Sequence, residues 1–220
     1  MFKVYEIKRR IFDSNDKEAN QLRSELKKKR TYLINLMSSP GAGKTTTLLK
    51  TIDGLKNDFK IGVMEADIDG ECDAHTISKT GVKVIQLHTG GMCHLDADMT
   101  RQGLDELDQD DLDLIFLEKV GNLVCPAEFD TGAIQNIMIL SVPEGDDKPL
   151  KYPLMFKVCD VLLINKIDVL PYFNFDLEEC KKRALKRNPK MKIFTISSLS
   201  GEGMEEWIRY LKSEVSAFKK

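Results

Sequence analysis

Tyr32-Leu33-Ile34-Asn35-Leu36-Met37-Ser38-Ser39-Pro40-Gly41-Ala42-Gly43-Lys44-Thr45 decides the fold. Its first half is a nearly continuous apolar run, the pattern of a strand covered on both faces. Its second half is glycine-rich, and residues 44–56 read as a helix. A glycine-rich turn between a strand and a helix N-terminus is the context a phosphate-binding loop requires. There backbone N–H groups close around phosphate oxygens and the helix end adds a favourable field. Lys44 is the residue for the β- and γ-phosphates, and the Thr45 hydroxyl is a ligand for Mg²⁺. Gly41, Ala42, Gly43 and Thr46 complete the cradle. Ser38 stands where the usual pattern has its first glycine, a position that serves turn geometry more than chemistry.

Outward from this stretch, further apolar or β-branched runs occur at Lys60–Ala66, Lys83–Leu87, Leu112–Glu118, Ile134–Val142, Val161–Asn165 and Lys192–Ile196. Helical stretches between them include 94–107, 175–188 and 203–218. Alternation of this kind predicts an α/β fold with a doubly wound, mostly parallel sheet. Residues 14–30 are polar and rich in helix formers, with Asn15 or Asp16 as N-cap and Leu22 and Leu26 as a thin apolar face. They read as a surface helix packed beside the domain. The expected division is an N-terminal helical appendage over 1–30 and a nucleotide-binding domain over 31–220.

The 220 residues are 42% hydrophobic and 31% charged with a net charge of -2, which disfavours a general nucleic-acid binder. No apolar run approaches the roughly 18 residues of a membrane span. The start, MFKVYEIKRR, has no apolar signal core. The five cysteines include no C-x-x-C pair, which fits a reducing compartment. A cytoplasmic protein without membrane or nucleic-acid partners is expected.

Asn165-Lys166-Ile167-Asp168 closes the Val161–Asn165 run. A carboxylate there can accept from both N1–H and the 2-amino group of guanine, and adenine offers no such pair. A site built on those bonds rejects the wrong base strongly, because its polar groups would go unpaired. Ser198 and Leu199 follow the next strand, where a backbone contact to the base is usual in GTPases. The alternative is a strand-end loop with a solvated Asp168. Glu118, at the end of its strand, faces the phosphate loop and can orient the Mg²⁺ shell or the attacking water. Asp67 offers a second carboxylate at a strand's carboxyl end, where ligands of such sheets bind. Asp69 and Asp73 lie further along, as solvated loop residues or contacts to a metal-bound water.

Cys93-His94, read as opening helix 94–107, and Cys125 supply soft and borderline ligands suited to Zn²⁺ or Ni²⁺. A helix N-terminus would favour the Cys93 thiolate. Three ligands leave a position open or a site shared between two chains. Taken alone, these residues are also compatible with ordinary buried thiols. Cys72, Cys159 and Cys180 read as core or surface thiols, and His75 and His88 as structural.

Together these stretches resemble the HypB family, the nickel-insertion GTPases of hydrogenase maturation within the metal-trafficking, SIMIBI-type branch of P-loop GTPases. The matching strings are Ser38–Thr46, Ala66-Asp67-Ile68-Asp69, Thr89-Gly90, Cys93-His94-Leu95-Asp96-Ala97, Val120-Gly121-Asn122-Leu123-Val124-Cys125-Pro126 and Ser141–Pro153. The resemblance implies a homodimer on GTP binding, with nickel or zinc held between chains by Cys93, His94 and Cys125. It implies release of nickel on hydrolysis toward a nickel chaperone partner or the hydrogenase large subunit. Lys148, in the Glu144–Pro153 loop, is expected to reach toward nucleotide or partner chain, the alternative being a solvent-exposed lysine. The chain departs from the family in lacking an N-terminal cysteine cluster or histidine-rich tract, and in carrying Lys119 where Asn is usual. A cation at that position would neutralise γ-phosphate charge or alter water positioning. No Gln or Arg stands at an obvious position to activate water, so slow GTP hydrolysis to GDP is expected. Glu118 lies close in sequence to Cys125, so a γ-phosphate that moves this strand end moves a ligand. Rival readings are a GTPase chaperone for another metalloenzyme, a metal-storage module with a vestigial nucleotide site, and a small-molecule kinase.

Overall fold

The computed structural model describes residues 4–67, 72–88, 94–119 and 121–220, and for residues 4–13, 67, 72, 73 and 109 the backbone alone. Its strands are β1 (Tyr32–Ser38), β2 (Ile61–Asp67), β3 (Lys83–His88), β4 (Leu114–Glu118), β5 (Gln135–Ser141), β6 (Val161–Asn165) and β7 (Lys192–Thr195). They form one sheet in the order β3-β2-β4-β1-β5-β6-β7, and every described pairing is parallel. Each predicted run is a strand within a residue or two at either end. The doubly wound expectation is therefore met.

The longer helices are α1 (Val4–Lys29), α2 (Lys44–Leu55), α3 (Cys72–Ser78), α4 (Ala97–Glu106), α8 (Leu177–Arg187) and α9 (Met204–Phe218). Three short ones, α5 (Cys125–Glu128), α6 (Lys148–Lys151) and α7 (Pro153–Val158), each carry proline in the first turn. They are too short for hydrophobic periodicity to register, and the sequence reading passes over them, as it does α3. On one face of the sheet Leu36, Phe116, Ile139 and Leu163 pack with Ile52 of α2 and Trp207 of α9. The Trp207 Nε1–H donates to Thr51 Oγ1 at 3.0 Å and ties those two helices. The opposite face buries Met138 and Leu162 against Phe156, and Leu33 and Leu117 against Leu22 and Leu26 of α1.

Two helix starts differ from expectation. Helix α1 runs straight through Asn15 and Asp16, so neither caps it. Asn15, Ala19, Leu22 and Leu26 are buried at helical spacing, and Asn15 belongs to that stripe. Arg23 pairs with Asp130, and Arg101 of α4 with Glu25, which fastens α1 along its length. Helix α4 begins at Ala97 rather than at His94. Asp96 is extended and its carboxylate accepts from the Met99 N–H at 2.9 Å, so it is the N-cap. The helix-end field expected to favour a Cys93 thiolate therefore begins at Asp96. Cys93 itself lies outside the described residues.

Sheet order places the site. From β1 the chain winds outward to β2 and β3, returns as β4 between β2 and β1, and then passes to β5, β6 and β7 on the other side of β1. The reversal falls at β1, and such sheets bind ligands beyond the carboxyl ends of strands at that point. Register sets Leu36 level with Glu118, and Glu118 level with Glu65.

Candidate functional site: a phosphate loop latched to its base loop and pressed by the β4 exit

Ser38 ends β1 as a buried, extended residue whose hydroxyl donates to the Ser39 carbonyl at 2.8 Å. The serine in place of glycine costs nothing there, because the left-handed positions of the loop are Gly41 (φ 75°) and Gly43 (φ 90°). Gly43 is the N-cap of α2. The loop, Lys44, Thr45, Thr46, Glu65 and Lys166 border a cleft of about 490 Å³.

Glu118 is fully buried beneath this loop. Its Oε1 accepts from Thr45 Oγ1 at 3.1 Å and pairs with Lys44 Nζ at 2.9 Å. The other oxygen, Oε2, is buried without a hydrogen-bond partner. A hydroxyl and a carboxylate with an unused oxygen are hard donors of the kind Mg²⁺ takes, so the residues fit that ion. A polyphosphate would compete with Glu118 for Lys44. The sequence reading missed Glu65, which lies beside Glu118 on β2, is 3% exposed and lines the cleft. Its place as an acid within an apolar strand is the one signal the sequence offers. The side chain of Asp67 lies outside the described residues, as do those of Asp69 and Asp73; the Asp67 backbone ends β2 level with His88.

Asn165 ties the glycine-rich loop to the loop after β7. Fully buried, it donates through Nδ2 to the Ala42 carbonyl at 2.9 Å and accepts at Oδ1 from the Ser198 N–H at 3.1 Å. Lys166, in the left-handed region at φ 64°, donates from Nζ to the Gly41 carbonyl at 2.7 Å. The structure thus brings the phosphate loop, Asn165-Lys166 and Ser198 into one unit. Asp168 is exposed beside it. Leu199 is 80% exposed, so its contribution would come from the backbone.

Beyond Glu118 the chain presses on the loop again. A Cβ on Gly121 would stand 2.7 Å from the Pro40 nitrogen, so only glycine allows this approach. The segment then leads through Asn122 to half-buried Cys125 at the start of α5. His94 is stacked on Phe129, just after α5, with ring centroids 3.8 Å apart and planes 10° from parallel. The His94 and Cys125 segments are therefore neighbours. Among the described residues no group of three His, Cys, Asp or Glu is arranged to hold a metal.

Lys119 borders the same cleft. Its ammonium is buried without a hydrogen-bond partner, and the carboxylates that act on it are Asp130 and Asp96. Burial pushes its pKa down to about 7. A buried charge without a hydrogen-bond partner is costly, and replacement by an apolar group of similar size is often stabilising. Lys119→Met is expected to raise the urea midpoint, by a free energy on the order of 1–3 kcal/mol. A loss of stability would instead show that attraction to the two carboxylates outweighs burial. Lys148 Nζ lies 3.9 Å from Glu144 and 5.3 Å from the Tyr152 ring centre, held within its own loop.

A parallel doubly wound sheet, a glycine-rich loop with Lys-Thr at a helix start and an Asn-Lys-x-Asp latch define a P-loop nucleotide-binding protein. Residues 32–195 match the family model described as CobW/HypB/UreG, nucleotide-binding domain. The chain belongs to that family, in its HypB branch, as the curated and solved relatives agree. It is 43% identical over 212 residues to the hydrogenase maturation factor HypB of Escherichia coli K12, covering 96% of this chain and 73% of that protein. The crystal structure of HypB from Helicobacter pylori in complex with nickel superposes with a TM-score of 0.87 at 39% identity, over 94% of this chain and 97% of that one. HypB from Archaeoglobus fulgidus gives a TM-score of 0.85 at 36% identity, over 92% and 99%.

Proposed function

We propose that this chain is a GTP-hydrolysing metallochaperone that delivers nickel during maturation of nickel-iron hydrogenase, with metal release gated by GTP-dependent dimerisation. The observation that carries the reading is the contact of Gly121 with Pro40. It presses the segment leading to Cys125 against the phosphate loop, so a loop that closes on nucleotide pushes on a metal-bearing segment. The nickel-bound relative supports the choice of metal. Cys93, His94 and Cys125 of two chains are the proposed ligands, and zinc suits the same set. The receiving partners would be a nickel chaperone and the hydrogenase large subunit. Residues 31–220 would act as the GTPase domain and 1–30 as its appendage.

In the hydrolytic step Lys44 leaves Glu118 for the β- and γ-phosphates, and the loop N–H groups from Gly41 to Thr45 hold their oxygens. Asp168 accepts from the guanine edge. Thr45 and Glu118, with Asp67 as a further carboxylate, are the residues to hold Mg²⁺, which when bound neutralises charge on the phosphates. Glu118, freed from Lys44, keeps an oxygen directed at that cluster. Slow turnover is proposed, since no Gln or Arg stands at an obvious position in the sequence to activate water. None of the described helices is long and apolar enough to cross a membrane, and a cytoplasmic site of action is proposed.

The reading is tested by counting nickel bound per protomer with GDP and with a non-hydrolysable GTP analogue, in the parent and in Cys93→Ala. Binding that differs between nucleotides and is lost in the variant is expected. Linkage requires GTP affinity to shift by the same factor when nickel is present. Equal binding in both states would falsify the gate.

A further inference from the structure

Asn15 is the polar member of the buried stripe of α1, at 8% exposure. Both ends of its amide are used. Nδ2 donates to the Asp130 carbonyl at 2.9 Å, and Oδ1 accepts from the Ala97 N–H at 2.9 Å. Ala97 opens α4 just after His94, and Asp130 directly follows Phe129, the residue stacked on His94. One side chain of a helix outside the nucleotide site thus holds the backbone of both segments that carry the described metal-ligand candidates. Asparagine is a weak helix former, and its buried amide is satisfied only while both segments are in place. Arg23 strengthens one side through the Asp130 carboxylate and the Ala133 carbonyl.

We propose that α1 is a clamp on the nickel site. Asn15 is a positioning residue that sets the spacing of the His94 and Cys125 segments, and releasing it weakens nickel binding while the nucleotide site stays intact. This rests on the nickel reading above. Contacts made directly to metal ligands typically carry a tenfold to hundredfold effect on affinity, and the backbone ties of Asn15, which act on the ligand-bearing segments, are placed at the lower end, about tenfold.

The test uses the full chain with Asn15→Ala and Asn15→Asp, titrated with nickel and separately with GDP, with hydrogen exchange read at the Ala97 amide. Asn15→Asp keeps an oxygen for Ala97 but loses the donor to Asp130. Asn15→Ala is expected to weaken nickel binding about tenfold. GDP affinity is expected to stay within about twofold, as for distant sites. The Ala97 amide should exchange faster in Asn15→Ala and stay protected in Asn15→Asp, which loses nickel affinity to a smaller degree. Unchanged nickel affinity, or nickel and GDP affinity falling together, overturns the clamp. If Asn15→Ala does not fold, Asn15→Asp decides: weakened nickel binding with Ala97 protected supports the clamp, and unchanged binding overturns it. A parent that binds no nickel overturns both this inference and the function it rests on. A parent that binds, with variants equal to it, overturns the clamp alone.

Discussion

Gly43→Ala is expected to abolish tight nucleotide binding, although it adds a single methyl group. Gly43 sits at φ 90°, where a side chain costs about 1–2 kcal/mol. The added Cβ would lie 2.5 Å from Asn165 Nδ2. Asn165 has no free direction, because it is fully buried and bonded to Ala42 and Ser198. Pushing it away leaves buried polar groups unpaired, at roughly 1–3 kcal/mol. The sum, on the order of 2–5 kcal/mol, corresponds to a loss of GDP affinity from about thirtyfold to several thousandfold. Gly41→Ala is the control: its φ is 75°, but nothing lies within 4 Å of the added carbon. It should show the backbone cost alone. Titration of both variants with a fluorescent guanine nucleotide measures the difference. Equal affinities would mean that Asn165 yields freely and is no latch.

Asp168→Asn is expected to reverse the choice of base without harming the fold. Asp168 is exposed, so the amide changes little in stability. In the proposed complex its carboxylate accepts from two donors on guanine. An asparagine presents one acceptor and one donor, and the donor faces the guanine 2-amino group. Discrimination built on such bonds reaches about 10²-fold to 10⁴-fold. GDP affinity should fall in that range, and affinity for xanthosine diphosphate, which carries an oxygen at position 2, should rise. Competition among guanosine, xanthosine and adenosine diphosphates checks this. If the variant binds GDP as the parent does, recognition of the base lies elsewhere and the guanine assignment falls.

The two substitutions probe different kinds of legibility. Asp168 could be named from Asn165-Lys166-Ile167-Asp168 alone, because a local motif at a strand end carries its own chemistry. Lys44 and Thr45 could be proposed for the same reason, and Glu118, the acid that ends an apolar strand, lies against both. The role of Asn165 was only half legible. Its position in the motif was plain, but its bonds span residues far apart in the chain and exist because β1 and β6 end near each other. That Lys119 is buried without a hydrogen-bond partner could not be read from its place beside Glu118.

The order of strands and helices, the phosphate loop and the base motif were determined by the sequence itself. Hydrophobic periodicity and glycine placement act over a few residues, and both survive in one dimension. Tertiary structure alone decided that Glu65 stands level with Glu118, that Gly121 lies against Pro40 and that the Lys119 ammonium is buried. It also decided that Asn15, an N-cap by its spacing, is a buried tie between α4 and the turn after α5. These relations come from sheet register and from packing between distant segments. They depend on distances in space that no local pattern of residues encodes.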